Sequence, residues 1–140
     1  MELKFNVRVY GIAINSKNEV LLSYEQYKGF EFTKFPGGGL EYGEGTLAGL
    51  KREFEEEIGI EPFNFRHFYT TDFFQKSVVN DTQIISIYYL VDLPNYQQVP
   101  QHSDTGTLFF QKIVPQLLDI VNLPIDKEVA KMLIEQFSKK

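Results

Sequence analysis

Four glutamates, Glu53, Glu55, Glu56 and Glu57, fall within five positions directly after Arg52, and three consecutive glycines, Gly37, Gly38 and Gly39, stand a short way before them. Like charges three and four residues apart on a helix repel by roughly 0.2–0.5 kcal/mol per pair, so the run costs stability unless something positive sits among them. On a helix turning about 100° per residue, Glu53, Glu56 and Glu57 share one arc of about 100°, while Glu55 points elsewhere. Converging carboxylates present hard anionic oxygens, the ligands preferred by Mg2+ or Mn2+. The simpler reading is a solvated acidic face. The glycines bear on that choice. Consecutive glycines weaken a fold entropically and are most useful where a backbone needs positive φ or must let a ligand approach closely. A tight turn accounts for one or two of them; beside the helix, their carbonyls could also complete a cation's oxygen shell and their amides could contact phosphate.

The helix that carries the charge must also pack. Leu47, Leu50, Phe54 and Ile58 recur at helical spacing, with Gly45 or Thr46 at the start and Gly59 just past the end, which predicts a helix over 46–58 with that stripe facing the core. Upstream, FNVRV alternates, GIAI continues out of phase after Gly11, NSKN is turn-rich and EVLLSY follows: a strand, a hairpin connection and a second strand. The phase change at Gly11 predicts a bulge or a strand buried on both faces. Residues 25–34 read as a loop, with Phe35 ending a short extended piece before Pro36. Segments 63–75 and 82–91 are aromatic and β-branched, the second apolar enough for a central strand. The longest loop is 92–106, followed by a strand near 107–113, a short helical turn after Pro115, and a helix over 126–137 with Val129, Met132, Leu133 and Phe137 on one stripe. Strands followed by helices able to cover both sheet faces predict an α/β class.

A length of 140 residues suits a single domain over 1–140, and 43% hydrophobic with 24% charged residues is the composition of a globular core rather than a disordered chain. No apolar run reaches the roughly 18 residues of a membrane span, and MELKFNVRV mixes both charge signs, so the expectation is a cytoplasmic protein without a membrane partner. The absence of cysteine excludes disulfides and thiolate chemistry. Net charge is -5, and residues 41–61 alone hold seven acids against two bases while the rest of the chain is neutral. That balance argues against nucleic-acid binding, which depends on Lys and Arg neutralising phosphates.

Residues 38–60 resemble the signature of the Nudix hydrolase family: Gly38, five residues, Glu44, seven residues, then Arg52-Glu53-Phe54-Glu55-Glu56-Glu57-Ile58-Gly59-Ile60. The resemblance implies a MutT-like α/β/α sandwich around a central mixed β-sheet. It also implies metal-dependent hydrolysis of a nucleoside diphosphate linked to another moiety, by water attacking phosphorus. Carried over by position, Glu53, Glu56 and Glu57 would ligate Mg2+, or Mn2+, with the Gly38 carbonyl as a further ligand. Arg52 would orient the glutamates, Glu44 would support the loop–helix junction, and Gly59 would end the helix. Gly37, Gly38, Gly39 and Lys34 are the candidate substrate contacts. Family members differ in their general base; Glu56 is the first choice here and Asp104, in the long loop with Asp92, the second. A homodimer is common in the family. The alternative is a module of the same fold that binds a nucleotide or an ADP-ribose-like ligand without turnover, against which three retained, mutually repelling carboxylates weigh.

Other residues invite weaker readings. Arg8, Lys34 and Lys76 are candidate phosphate contacts or ordinary surface charges. Phe73, Phe74, Tyr88 and Tyr89 are candidate base-stacking rings or core aromatics. His67 and His102 have no partner at metal-site spacing.

Overall fold

The computed structural model describes residues 4–103 and 106–137. Seven strands and three helices follow one another as β1 (Lys4–Ala13), β2 (Glu19–Tyr27), β3 (Phe30–Lys34), β4 (Gly37–Gly39), α1 (Thr46–Glu57), β5 (Phe63–Thr70), β6 (Thr82–Asp92), β7 (Gly106–Lys112), α2 (Leu117–Ile120) and α3 (Pro124–Phe137), with a 3-10 turn at Tyr96–Gln98. A four-stranded mixed sheet is ordered β4-β1-β6-β5, and a three-stranded antiparallel sheet is ordered β3-β2-β7. Among the described residues only β1 and β6 run parallel, from Lys4 opposite Thr82 to Ala13 opposite Val91. The architecture is therefore the expected mixed α/β sandwich. No helix among the described residues is long and apolar enough to cross a membrane.

Two cores lie on opposite faces of the sheets because side chains alternate along a strand. Val9, Ala13, Leu21 and Val91 pack against Leu50, Phe54 and Ile58 of α1. Tyr10, Ile12, Val20, Leu22 and Tyr88 pack against Leu117 of α2 and Ile125, Val129, Ala130 and Leu133 of α3. The phase change at Gly11 is thus the signature of a strand end buried on both faces, not of a bulge. A Cβ at Gly11 would stand 2.6 Å from the Phe54 ring, so the glycine lets α1 lie directly on the sheet.

Four sequence expectations need correction. Residues 25–34 are not a loop: β2 runs on to Tyr27 and turns through Lys28 and Gly29, both at positive φ (51° and 82°), into β3. Leu47 lies on the predicted apolar stripe yet is 42% exposed, since the helix start stands proud of the sheet. Phe73 and Phe74 follow β5 rather than extending it, and are 39% and 71% exposed. The last helix begins at Pro124, two residues before the expected start.

Candidate active site

β4 is an edge strand made only of glycine, paired antiparallel to β1 with Arg8 opposite Gly39, Val9 opposite Gly38 and Tyr10 opposite Gly37. At Gly37 nothing larger is tolerated, and at Gly38 a side chain would displace an acid of α1. Gly37 has φ +144°, and a Cβ there would stand 2.1 Å from the Val9 carbonyl oxygen. A Cβ at Gly38 would stand 2.7 Å from the Glu53 carboxylate, which occupies the space a side chain would otherwise fill. The absent side chains let α1 press its acids against bare backbone. At the helix end, Gly59 takes up φ 77°, and its amide donates to the carbonyls of Phe54 and Glu55.

Arg52 organises this acidic face. Its Nε and Nη2 donate to the two oxygens of Glu44 at 3.0 and 2.6 Å, a bidentate pair, and Nη2 also reaches the Gly39 carbonyl at 3.0 Å. Nη1 donates to Glu53 at 3.1 Å and to Glu56 at 3.4 Å, and lies 3.6 Å from Glu41. The Arg52 hydrogen bonds and the Glu41 amide hold the Glu44 carboxyl down at about 2. The same Glu44 oxygens fill the space beside Gly49, where a Cβ would meet Glu44 Oε1 at 2.9 Å and Leu40 at 2.6 Å.

Glu57 and Glu53 have the opposite problem. Burial pushes the Glu57 carboxyl up to about 7, with Glu25 and Glu53 adding to the rise and Lys34 and the Gly37 amide opposing it. Burial likewise raises Glu53, against its bonds to Arg52. The Gly37 amide donates to Glu57 Oε1 at 3.3 Å, and on its other side the Gly37 carbonyl accepts from Lys34 Nζ at 3.2 Å. Lys34, 6% exposed, also reaches the Phe35 carbonyl at 3.3 Å and Glu25 at 3.2 Å. Burial disfavours its charge, but Glu57, Tyr10 and Glu25 together outweigh that and raise its pKa.

On the face of β1 turned away from α1 lies a cleft of about 470 Å3. Its walls come from β1 (Arg8, Tyr10), β3 (Lys34), β6 (Tyr88) and α3 (Asp126). Tyr10 and Tyr88 stack with ring centroids 5.1 Å apart. The Tyr88 hydroxyl donates to Asp126 Oδ1, while Oδ2 is buried with no hydrogen-bond partner among the described residues. Burial pushes the Asp126 carboxyl up to about 6 against the pull of that hydrogen bond.

The NUDIX domain family matches residues 4–130. The chain belongs to that family. A relative described as 8-oxo-dGTP diphosphatase, from Buchnera aphidicola subsp. Schizaphis graminum (strain Sg), is 32% identical over 78 residues, which span 54% of this chain and 59% of the relative. A structure from a study of MutT from Aliivibrio salmonicida and Vibrio cholerae superposes with a TM-score of 0.76 at 27% identity, covering 96% of this chain and 100% of that one. The E. coli dihydroneopterin triphosphate pyrophosphohydrolase shares the fold at a TM-score of 0.74 and 14% identity, over 94% of this chain and 98% of its own. This is a MutT-like member of the NUDIX family by both sequence and fold.

Against that family signature, the structure brings Arg52, Glu44, Glu53 and Glu57 together at β4, but Glu56 less so: its side chain is 59% exposed and tied in only through Arg52. The helical arc therefore overstates the convergence. Among the described residues no three carboxylates or imidazoles stand as a ready-made ion cage. The donor set still fits a hard divalent cation, since it is all oxygen.

Of the three candidate cations, Lys76 is the surface charge, paired with Asp81 at 3.0 Å, whereas Lys34 is buried and Arg8 half-buried. His67 bonds Thr70 on β5, and His102 makes a backbone bridge to Thr107. Asp92 is taken by Asn64 and Arg66, and Asp104 lies outside the described residues. Tyr88 is core and also cleft wall, while Tyr89 hydrogen-bonds Thr46 at 2.7 Å. Sequence reasoning missed Asp126, Glu25 and Gly49. A signal for Asp126 exists: with Val129, Ala130 and Leu133 it completes an i, i+3, i+4, i+7 stripe, so a carboxylate falls on a buried face.

Proposed function

We propose that this chain hydrolyses a nucleoside diphosphate linked to a further group, cleaving the pyrophosphate bond by attack of water on phosphorus. The observation that carries this reading is that α1 sets the Glu53 carboxylate against the bare backbone of β4, while β1, the strand paired to β4, lines a 470 Å3 cleft through Arg8 and Tyr10. Glu53, Glu56 and Glu57, with the Gly38 carbonyl, would hold Mg2+ or Mn2+. When bound, the cation neutralises pyrophosphate charge and lowers the pKa of coordinated water.

The chain's own residues supply the rest. The bare backbone of Gly37–Gly39 admits phosphoryl groups close to the helix. Arg52 holds Glu44 fixed, keeps Glu53 beside β4 and tethers the more exposed Glu56, while Lys34 and Glu57 grip the Gly37 peptide from its two ends. Glu56 accepts the proton of the attacking water on Oε2, the oxygen not bonded to Arg52. In the cleft, the stacked Tyr10 and Tyr88 offer an apolar floor, and the unpartnered Asp126 Oδ2 offers an acceptor for the N–H edge of a base. The name of the Buchnera relative, 8-oxo-dGTP diphosphatase, supports a nucleoside triphosphate as the substrate.

The test is a turnover panel of nucleoside triphosphates including 8-oxo-dGTP, nucleotide sugars, ADP-ribose and dinucleoside polyphosphates, each with Mg2+, with Mn2+ and with EDTA. Metal-dependent release of a nucleoside monophosphate from at least one class is the expected result. Ligand binding without turnover across the whole panel would replace hydrolysis with a purely binding role.

A further inference from the structure

Lys34 and Arg8 are the two cations that line the cleft from the strands β3 and β1, and they differ in what already occupies them. Lys34 Nζ is committed to two backbone carbonyls and to Glu25. Arg8 is half-buried, donates from Nε to the Tyr10 hydroxyl at 2.6 Å, and lies with its guanidinium carbon 5.7 Å from the Tyr10 ring centre. Its terminal nitrogens make no ion pair among the described residues. Burial disfavours its charge, but Tyr10, with Glu53 and Asp126 at longer range, outweighs that and raises its pKa, so Arg8 stays charged while its terminal nitrogens remain available to a ligand anion.

The position of Arg8 narrows what that anion is. Across the β1–β4 ladder it stands opposite Gly39, and a Cβ at Gly39 would lie only 3.7 Å from Arg8 Nη1. Arg8 is therefore, with Tyr10 and Lys34, among the cleft residues that border the glycine strand, and it borders that strand at Gly39. Tyr10 fixes Nε, so the planar fork of Nη1 and Nη2 is pre-aimed, and a fork of that shape matches two oxygens of one phosphoryl group.

The geometry points to Arg8 as the clamp for the phosphoryl group attached directly to the nucleoside, an assignment that rests on the proposed hydrolysis of a nucleotide substrate. Arg8 binds this group before and after cleavage, so it acts in substrate positioning and product retention and takes no proton. The carboxylates of α1 handle the distal phosphates, and Arg8 decides that the ligand be a nucleotide rather than a nucleoside.

The test compares the unmodified protein with Arg8→Gln and Arg8→Lys by calorimetry, using the four common nucleosides and their 5′-monophosphates, alongside steady-state turnover and Mn2+ titration. The unmodified protein is expected to bind at least one monophosphate about tenfold or more tightly than its nucleoside. Arg8→Gln should abolish that preference while nucleoside affinity, Mn2+ uptake and the unfolding midpoint stay as they were, and KM should rise by about the same factor. Arg8→Lys should restore only part of it, because an ammonium cannot grip two oxygens at once. An undiminished monophosphate preference in Arg8→Gln, with turnover intact, would overturn the clamp and leave the hydrolase reading standing. No preference for any monophosphate and no turnover in the unmodified protein would overturn both.

Discussion

Arg52 and Lys34 stand on opposite sides of the glycine strand and are satisfied in contrasting ways. Arg52, whose side chain is 22% exposed, faces four carboxylates and one carbonyl, so it serves as a hub for charges that must stay able to rearrange. Lys34, whose side chain is 7% exposed, faces a single carboxylate and two carbonyls of the turn itself, so it serves as a rivet for backbone. One cation gathers a cluster of carboxylates; the other fixes the shape of the glycine strand beside them. Similar chemistry at the two positions thus answers different needs, set by burial and by whether the partners are side chains or main chain.

The sharpest way to break this contrast is to attack the shape. Gly37→Ala forces a Cβ against the Val9 carbonyl at positive φ and should cost at least about 3 kcal/mol in thermal or urea unfolding. Gly39→Ala, whose new methyl would meet only Arg8 Nη1 at 3.7 Å, should stay within about 1 kcal/mol of the parent. Equal losses would mean that β4 is not held as described. Next, Lys34→Met leaves Glu25 and the Gly37 carbonyl without their buried cation and should destabilise by about 3 kcal/mol.

Breaking the hub should act on chemistry instead. Glu53→Gln or Glu57→Gln is expected to lower metal-dependent turnover by roughly tenfold to a hundredfold. Glu57→Gln should also stabilise the metal-free protein. The folded carboxyl titrates near 7 against an ordinary 4.5, so its penalty is absent below 4.5, grows across that window and is complete above 7. Unfolding in EDTA at pH 8 should therefore show Glu57→Gln more stable by roughly 2 kcal/mol, with the gap closing by pH 4. The smallest effect concerns Glu44. Its folded carboxyl titrates at about 2, below the ordinary 4.5, so its contribution is present above 4.5 and fades as pH falls toward 2. Glu44→Gln should flatten that part of the acid-unfolding profile, and an unchanged profile would remove Glu44 from the network.

How far the sequence reached follows from the range of the interactions involved. The α1 region was legible because Arg52, Glu44, Glu53 and Glu57 sit within one short segment and their spacing is dictated by a single helix. The extent of β1 and β6 was legible from apolar runs long enough to be covered on both sides. The β2–β3 hairpin escaped because its turn, Lys28-Gly29, uses a lysine at positive φ where Asn or Asp is the usual signal. The cleft escaped for a deeper reason: Arg8, Lys34, Tyr88 and Asp126 come from β1, β3, β6 and α3, so no local pattern joins them. Asp126 left a local trace all the same, as a charged residue on an otherwise apolar helical stripe.

A strand with no side chains has an evolutionary corollary. Since nothing projects from β4, the proposed hydrolytic hardware on α1 and the proposed recognition wall made by β1, β6 and α3 share a boundary without sharing residues. Either half can be redrafted while the other runs unchanged, so exchanging the wall residues is expected to redirect which molecules are cut, leaving the cutting itself intact.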